Sequence, residues 1–513
     1  MTYFFKIFFL VIFIFPQLIF AQKEATHWNF GPKLGLDFTN GSPSIIKNSA
    51  LLSYRGCASI SDKKTGELLF YSNGWHVWDR FNDLMPNSHQ NIDTCINGLN
   101  QSVLILPIPG NNYEYYLFYI TFYGNENNAL YLCSALDPGD FTGNYYYQLS
   151  YSVIDLRLNN GRGDIRDDKK DILLQTHIDL KLTAVPKTDS TGYWLITHGI
   201  ENSFFNYQIN SSGIDKPNEQ KIGSSHRIYF KDGTFVDKVS GELKASPNGK
   251  MLACTVADNK YPFDVFDFDA LTGIISNHRN FGDIIDQYGT TFSPDNTKLY
   301  VTSSNRIDKT ALGEVIRQYD LTLPTTEDII KSAKSIIRFN PFTNISEKSY
   351  PVDIAINTLH LAPDGKIYIA TSGLENSNLM YVISKPNAKG FDCDINYKYF
   401  DFNTSYFFKE YRSLPNFIQS YFNNLEPINE TDCADALIIA PNPTNGIISI
   451  KAKEACGKYS FTIANMLGQI VKNESADLIG EKEVDIKSLA SGIYLIIFNF
   501  SGKRLVKKVI KVD

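Results

Sequence analysis

The sequence carries no HExxH, no GxSxG, no glycine-rich phosphate loop and no CxxC pair. Those absences remove the common zinc proteases, the nucleophile-elbow hydrolases, the phosphate-cradling nucleotide folds and the paired-thiol zinc or redox sites. Basic clusters are missing too. There are 49 Lys and Arg against 55 Asp and Glu, a formal charge of −6, and no cationic stripe to track a nucleic-acid backbone. After residue 20 no stretch is long and apolar enough to span a bilayer. Cysteine is scarce, at seven: Cys57, Cys95, Cys133, Cys254, Cys393, Cys433 and Cys456. An odd number leaves at least one thiol unpaired within a monomer. Cys433 and Cys456 lie nearest in sequence and are the pair expected to bridge; the alternative is that all seven are small buried hydrophobes. No cofactor and no metal site is expected from these spacings.

What is present is a long, aromatic, globular chain. With 513 residues, 43% hydrophobic and 20% charged, it is too large for one core and too apolar for disorder. The 30 Tyr and 35 Phe favour strands. The opening "MTYFFKIFFLVIFIFPQLIFAQ" places Lys6 before an apolar run that Pro16 interrupts, with Ala21 before Gln22 as the cleavage point. That pattern predicts a signal peptide over residues 1–21, hence export and a mature chain without a membrane span.

One phrase recurs. "ASPNGKMLAC" (245–254), "FSPDNTKLYV" (292–301) and "LAPDGKIYIATSG" (361–373) share a turn followed by an apolar strand. Pro247, Pro294 and Pro363 preset φ for a first corner, and Gly249, Asn296 and Gly365 are residue types that tolerate positive φ. Related hairpins bend at Thr65-Gly66, Gly110 and Gly192, and each is followed by further strands. A unit of hairpin plus outer strands, repeated unevenly, predicts an all-β fold: a β-propeller of six or seven blades over 22–424. Leftover strands at 27–38 and 414–422 are expected to pair and close the ring.

After a polar linker at 425–436 the text changes. About seven short strands with a turn at Asn445-Gly446 predict a small immunoglobulin-like β-sandwich over 437–513. The series "PNPTNG…GKYSFTIANMLGQIV…DIKSLASGIYLIIF…GKRLVKKVIKV" resembles the type A sorting domain of the type IX secretion system of Bacteroidetes. Matching positions are Pro441, Asn442, Pro443, Gly446, Gly468, Leu489, Gly492, Tyr494, Lys507 and Lys508. The resemblance implies a cargo signal, the secretion machinery as partner, and delivery to the outer-membrane surface or the medium after passage through the periplasm. The front part, through "WNFG…GLDF", "GCASISDKKTGELLFYSNG", "VWDRFNDLMP" and "LPNFIQSYF", resembles secreted Bacteroidetes propeller proteins that carry this tail. That second likeness implies a fold and a cell address, and no activity.

Few residues point to chemistry. Of eight histidines, His198 and His360 fall at strand ends where a central pocket could collect them. The run "NNGRGDIRDDKKD" (159–171) offers carboxylates for calcium and an Arg162-Gly163-Asp164 tripeptide like an integrin motif, but a solvated insertion accounts for both. "DVFDFD" (264–269) reads as a half-buried strand. Trp75 and Trp78 could stack on sugars, but core packing is the better reading of both. The expected function is therefore a secreted or surface binding and adhesion module for polysaccharide or protein, with no catalytic residue assigned and the binding residues unknown. The alternative is a hydrolase or lyase with its site at the mouth of the propeller channel.

Overall fold

The computed structural model describes residues 22–53, 56–89, 101–123, 146–229, 235–237, 240–257, 261–284, 287–303, 315–338, 355–372, 379–400, 413–423, 425, 438–451, 459–466, 469–478, 481–500 and 503–512. The expected signal peptide with Ala21, the Cys433–Cys456 pair and Gly468 lie outside them, as does the linker apart from Leu425.

The repeated turns close as their residues predict. Gly249, Asn296 and Gly365 hold φ at 69°, 65° and 73°. Their amides bond back to Ser246, Ser293 and Ala362 at 2.8, 2.9 and 2.9 Å. Gly66 and Gly110 bend at φ of 80° and 78°. The 182–199 hairpin differs: Ser190 takes the left-handed turn at 59°. Gly192 is needed there for space, since a Cβ would sit 1.9 Å from the Ile209 carbonyl oxygen.

Each turn joins the first two strands of an antiparallel meander. Three are four-stranded: Leu243–Ala245 to Ile274–Ile284, Gln287–Phe292 to Lys334–Arg338, and Ala355–Leu361 to Ile395–Tyr399. His27–Phe30, Leu34–Asp37 and Ser44–Ile45 make a three-stranded sheet, as do Ala58–Ser61, Leu68–Ser72 and Val77–Asp79. Between these lies a nine-stranded sheet in which one 15-residue strand, Ile172–Pro186, has two partners. Its residues 172–178 pair with Tyr146–Asp155, and its residues 178–186 pair with Tyr193–Gly199. The strand thus ends one meander and begins the next.

First strands lie against one another in chain order, from 27–30 through 58–61, 103–107, 172–186, 243–245 and 287–292 to 355–361. Across the remaining gap, the Trp28 and Phe38 rings meet Tyr368 at 5.9 and 5.6 Å. Aromatic packing bridges that gap. The expected pairing of 27–38 with 414–422 does not form: 27–30 pairs with 34–37, and 413–422 is extended chain ending in a short 3₁₀ turn.

Residues 413–422 instead lie among the first strands. The Asn416 side chain donates to the Val103 and Leu182 carbonyls at 3.2 and 3.0 Å, and its backbone N–H donates to the Cys57 carbonyl at 2.9 Å. Three meanders are thereby tied to one residue. Phe417, Ile418, Tyr421 and Phe422 are buried in the same cluster as the first-strand residues Leu104, Leu182 and Leu361. Each such side chain contributes roughly 1.5–3 kcal/mol of apolar burial.

The tail has its own core. Ile438–Ala440, Ile447–Lys451 and Glu481–Asp485 form one sheet; Ile470–Leu478, Tyr459–Asn465, Gly492–Phe500 and Lys503–Lys511 form another. Ile448, Phe461, Val484, Ile496, Phe498 and Val509 are buried together, in a cluster that among the described residues holds none before 439.

Replacing Asn416 by Leu would keep the bulk and leave two buried carbonyls without their side-chain donor. The expected cost is about 2–4 kcal/mol, read as a lower urea midpoint with an unchanged slope. A midpoint within error of the parent would show that the segment is not what ties the strands.

Candidate functional site

Charged residues recur at alternate positions on two first strands, and period two puts each pair on one face. Asp179 and Lys181 sit on Ile172–Pro186; Glu242 immediately precedes the strand that carries Lys244. All four are buried, at 0%, 0%, 1% and 0% exposure. Burying a charge is costly unless it is paired, and both sets are paired.

In the first cluster, Asp179 Oδ2 accepts from Lys181 Nζ at 2.8 Å and from His226 Nδ1 at 2.8 Å, with His198 Nδ1 at 3.4 Å. The two imidazoles stack at 3.7 Å and 13°. His226 Nε2 lies 3.9 Å from the Cys254 sulfur. Burial would raise the Asp179 carboxyl, but Lys181 and His198 outweigh it and hold the group well below the usual range. Burial, with His198 and Lys181 alongside, keeps His226 neutral far into acid. Burial pushes the Cys254 thiol well up, the reverse of an activated nucleophile.

The second cluster spans three meanders. Lys244 Nζ is 3.2 Å from His360 Nε2, and Glu242 Oε1 is 3.6 Å from Lys244 and 3.4 Å from His360. The Thr290 amide donates to Glu242 Oε2 at 3.0 Å. Burial and Lys244 lower His360 to about 4. Burial lowers Lys244 against the pull of Glu242, while Lys244 and His360 hold Glu242 down despite its burial. Gln101 locks the neighbourhood by exchanging two hydrogen bonds with the Leu243 backbone at 2.7 and 2.8 Å.

Asp179, His198 and His226 have the donor types of a divalent-metal site, with ligand atoms within 4.8 Å of one another. Their hydrogen bonding fits a metal poorly. The Lys181 ammonium already neutralises the carboxylate, and the same Asp179 oxygen also accepts from His226 Nδ1 at 2.8 Å, so the carboxylate oxygen a cation would take is already bonded twice. The set works as an ion network joining consecutive meanders.

The two histidines singled out from sequence thus fall in separate clusters, and neither faces solvent. His226, Asp179, Lys181, Glu242 and Lys244 were not anticipated. The only advance signal was the acid–Xaa–Lys spacing at 179–181 and 242–244, which reads the same on an exposed strand. The Arg162-Gly163-Asp164 tripeptide is not displayed: Asp164 is 7% exposed and accepts from the Asn87 amide at 2.9 Å, and Arg162 is held by Asp79 and Asp83. Its acidic neighbours diverge, Asp168 to Arg166 at 2.7 Å and Asp171 to the Tyr119 hydroxyl at 2.5 Å. In 264–269, Asp267 binds Asn277 and Arg279 while Phe266 and Phe268 are buried. Trp78 is core, stacked on Tyr71; half-buried Trp75 stacks on His89 at 3.7 Å.

The tail motif has a clear mechanical role. The Asn442 side chain donates to the Lys508 carbonyl at 2.8 Å and accepts from the Ile510 amide at 2.9 Å. Thr444 then exchanges backbone bonds with Ile510 and Val512 at 2.9 and 2.8 Å. The motif staples the last strand, which carries Lys507 and Lys508. Gly446 holds φ at 133° where a Cβ would lie 2.8 Å from Lys487 Cα. Tyr494 donates its hydroxyl to the Ala490 carbonyl at 2.8 Å, bracing the turn that precedes its strand. Leu489 packs on the tail core, and Gly492 opens the next strand with free space around it.

Residues 438–512 match the family described as the secretion system C-terminal sorting domain. The chain therefore carries a sorting tail, which supports export by the type IX machinery to the cell surface or beyond. No curated protein matches the chain in sequence. Among solved structures it is similar to hydrazine synthase of Kuenenia stuttgartiensis (11% identity, TM-score 0.35, covering 73% of this chain and 82% of that one). It is also similar to the periplasmic gluconolactonase of Pseudomonas aeruginosa (10%, 0.34, 85% and 94%). A β-propeller domain from Myceliophteria thermophila matches at 12%, 0.34, 69% and 93%. At these scores the likenesses carry no argument about activity. No helix among the described residues is long and apolar enough to cross a membrane.

The buried imidazoles set a pH dependence. His226 and His360 both titrate below their ordinary value, so the unfolded chain binds more protons than the folded one once pH drops below about 6.5. Their contribution is complete above that pH and is lost on acidification, for His360 down to about 4. Asp179 and Glu242, also lowered, act in the same direction further into acid. Urea midpoints should fall from pH 7.5 to pH 5, and His360→Gln should flatten part of that slope. A midpoint independent of pH over this range would contradict the ion-network reading.

Proposed function

We propose that residues 22–424 are a seven-bladed β-propeller acting as a secreted or surface-held binding module. In this reading 437–513 is an immunoglobulin-like sandwich that serves only as the address, in a Bacteroidetes-type cell. Supporting the propeller are seven consecutive meanders whose first strands neighbour one another in chain order, and the Trp28–Tyr368 contact between the first and last. Supporting the binding role is one observation above all: the ionisable groups Asp179, Lys181, Glu242 and Lys244 on or beside the first strands are paired and buried, and the 413–422 segment is hydrogen-bonded to the same strands. A channel-mouth hydrolase needs a base and an acid that substrate can reach. His198, His226 and His360, at 1%, 3% and 2% exposure, do not offer that.

Independence of address and function follows from the separate tail core. Deleting 437–513 should leave the front part folded but retained in the periplasm, and fusing 425–513 to an exported reporter should carry the reporter outside. Cell fractionation reads both. Normal surface or medium levels of the truncated protein would defeat the sorting role. Turnover of polysaccharides, lactones or peptides by the purified protein, abolished by His198→Ala or His360→Ala, would replace the binding reading with the enzymatic one.

A further inference from the structure

The segment 155–168, which overlaps the charged stretch 159–171, organises a surface. Arg157 and Arg162 both rise from it. Arg157 lies over the Tyr113 ring at 5.5 Å and Arg162 over the Phe81 ring at 5.2 Å, with Arg80 on Phe81 at 4.9 Å. Both rings are large apolar groups more than half exposed, Phe81 at 58% and Tyr113 at 53%. They are not loose. Asp79 accepts the Phe81 amide at 2.8 Å, and Asn111 accepts the Tyr113 amide at 2.9 Å.

The arginines are equally fixed. Arg157 grips Asp155 through two bonds of 2.9 and 2.8 Å and reaches Glu114 at 3.0 Å. Arg166 takes the same Glu114 oxygen at 3.1 Å and grips Asp168 at 3.0 and 2.7 Å. Arg162 bonds Asp79 at 2.7 Å and also Asp83. Between them Asn159, Asn160 and Gly161 hold successive φ values of 50°, 56° and 81°. Such a run of left-handed residues is costly, and it turns the segment so that Arg157 and Arg162 point back to the two rings.

We propose that this surface is a platform for a neutral polysaccharide, a proposal that rests on the binding-module reading above. Tyr, Phe and Arg are the side chains that dominate recognition surfaces, and preorganised rings lose little entropy on binding. Charge decides the class of ligand. Three guanidiniums (Arg157, Arg162 and Arg166) are each paired with carboxylates among Asp79, Asp83, Glu114, Asp155 and Asp168, so they are neutralised in place and offer a polyanion no free cationic cluster. What it presents is flat apolar rings bordered by fixed hydrogen-bonding groups. Sugar rings have the complementary form, an apolar C–H face with hydroxyls around its edge.

The test is isothermal titration of the purified full-length secreted chain with four neutral oligosaccharides: cellohexaose, laminarihexaose, xylohexaose and mannohexaose. Polygalacturonate is the acidic comparison. At least one neutral sugar should bind, with an affinity that barely changes between 50 and 500 mM salt, in line with the screening expected of uncharged contacts. Phe81→Ala and Tyr113→Ala should each weaken binding about tenfold or more, on the scale of one stacked ring, with unchanged thermal melts. Leu271→Ala, at another exposed apolar site, should not weaken it. Binding of none of the four, or binding indifferent to both ring variants, overturns the proposal. So does binding confined to polygalacturonate and abolished by salt. A protein ligand found on an array in place of any glycan would overturn it too, while leaving the binding-module reading intact.

Discussion

The Val103 and Leu182 carbonyls, on two of the first strands, are buried and must be satisfied. A sheet edge meets this need by pairing with another strand. Here Asn416 supplies part of the answer, with a side-chain amide shared between the Val103 and Leu182 carbonyls and a backbone N–H on Cys57. The apolar residues that follow it fill the space between the strands. Because unpaired buried polar groups cost as much as several apolar contacts gain, the arrangement of the meanders depends on this segment being in place.

The same interior explains the electrostatics. Lysines and carboxylates on first strands would be intolerable singly, so each is met by a neighbour two residues away and by groups from other meanders. Lys181 with Asp179 is capped by His226, and Glu242 with Lys244 by His360 and the Thr290 amide. These links specify which meander lies beside which. They also leave the titratable groups of these strands paired and out of solvent, in contrast to the outer surface. There the arginines of 157–166 are likewise paired, but around rings that stay open to solvent.

In the proposed reading, export and recognition fall to different parts of the chain. The sorting tail has a closed core, and its Pro-Asn-Pro motif acts inside the tail by fastening the last strand through Asn442 and Thr444. Nothing in that motif requires the front part, which is what a transferable address needs.

Much of this was legible locally. Pro followed by Gly or Asn at 247–249, 294–296 and 363–365 dictates a bend wherever it occurs, and alternation dictates the strands on either side. The break in composition near 425 and the spaced tail motif marked the second unit. Other features depended on strand order in space. Leu182 and Asn416 are 234 residues apart, and Gln101 and Leu243 are 142 apart. No local rule brings such pairs together, so the role of 414–422 was misread as a closing strand and His226 went unnoticed. Arg162-Gly163-Asp164 resembles an integrin motif in sequence, but Asp164 is buried against the Asn87 amide and Arg162 is tied to Asp79. Turn chemistry and periodicity act over a few residues and are written in the sequence; burial, partner choice and charge compensation act across the interior, and the tertiary fold alone decided them.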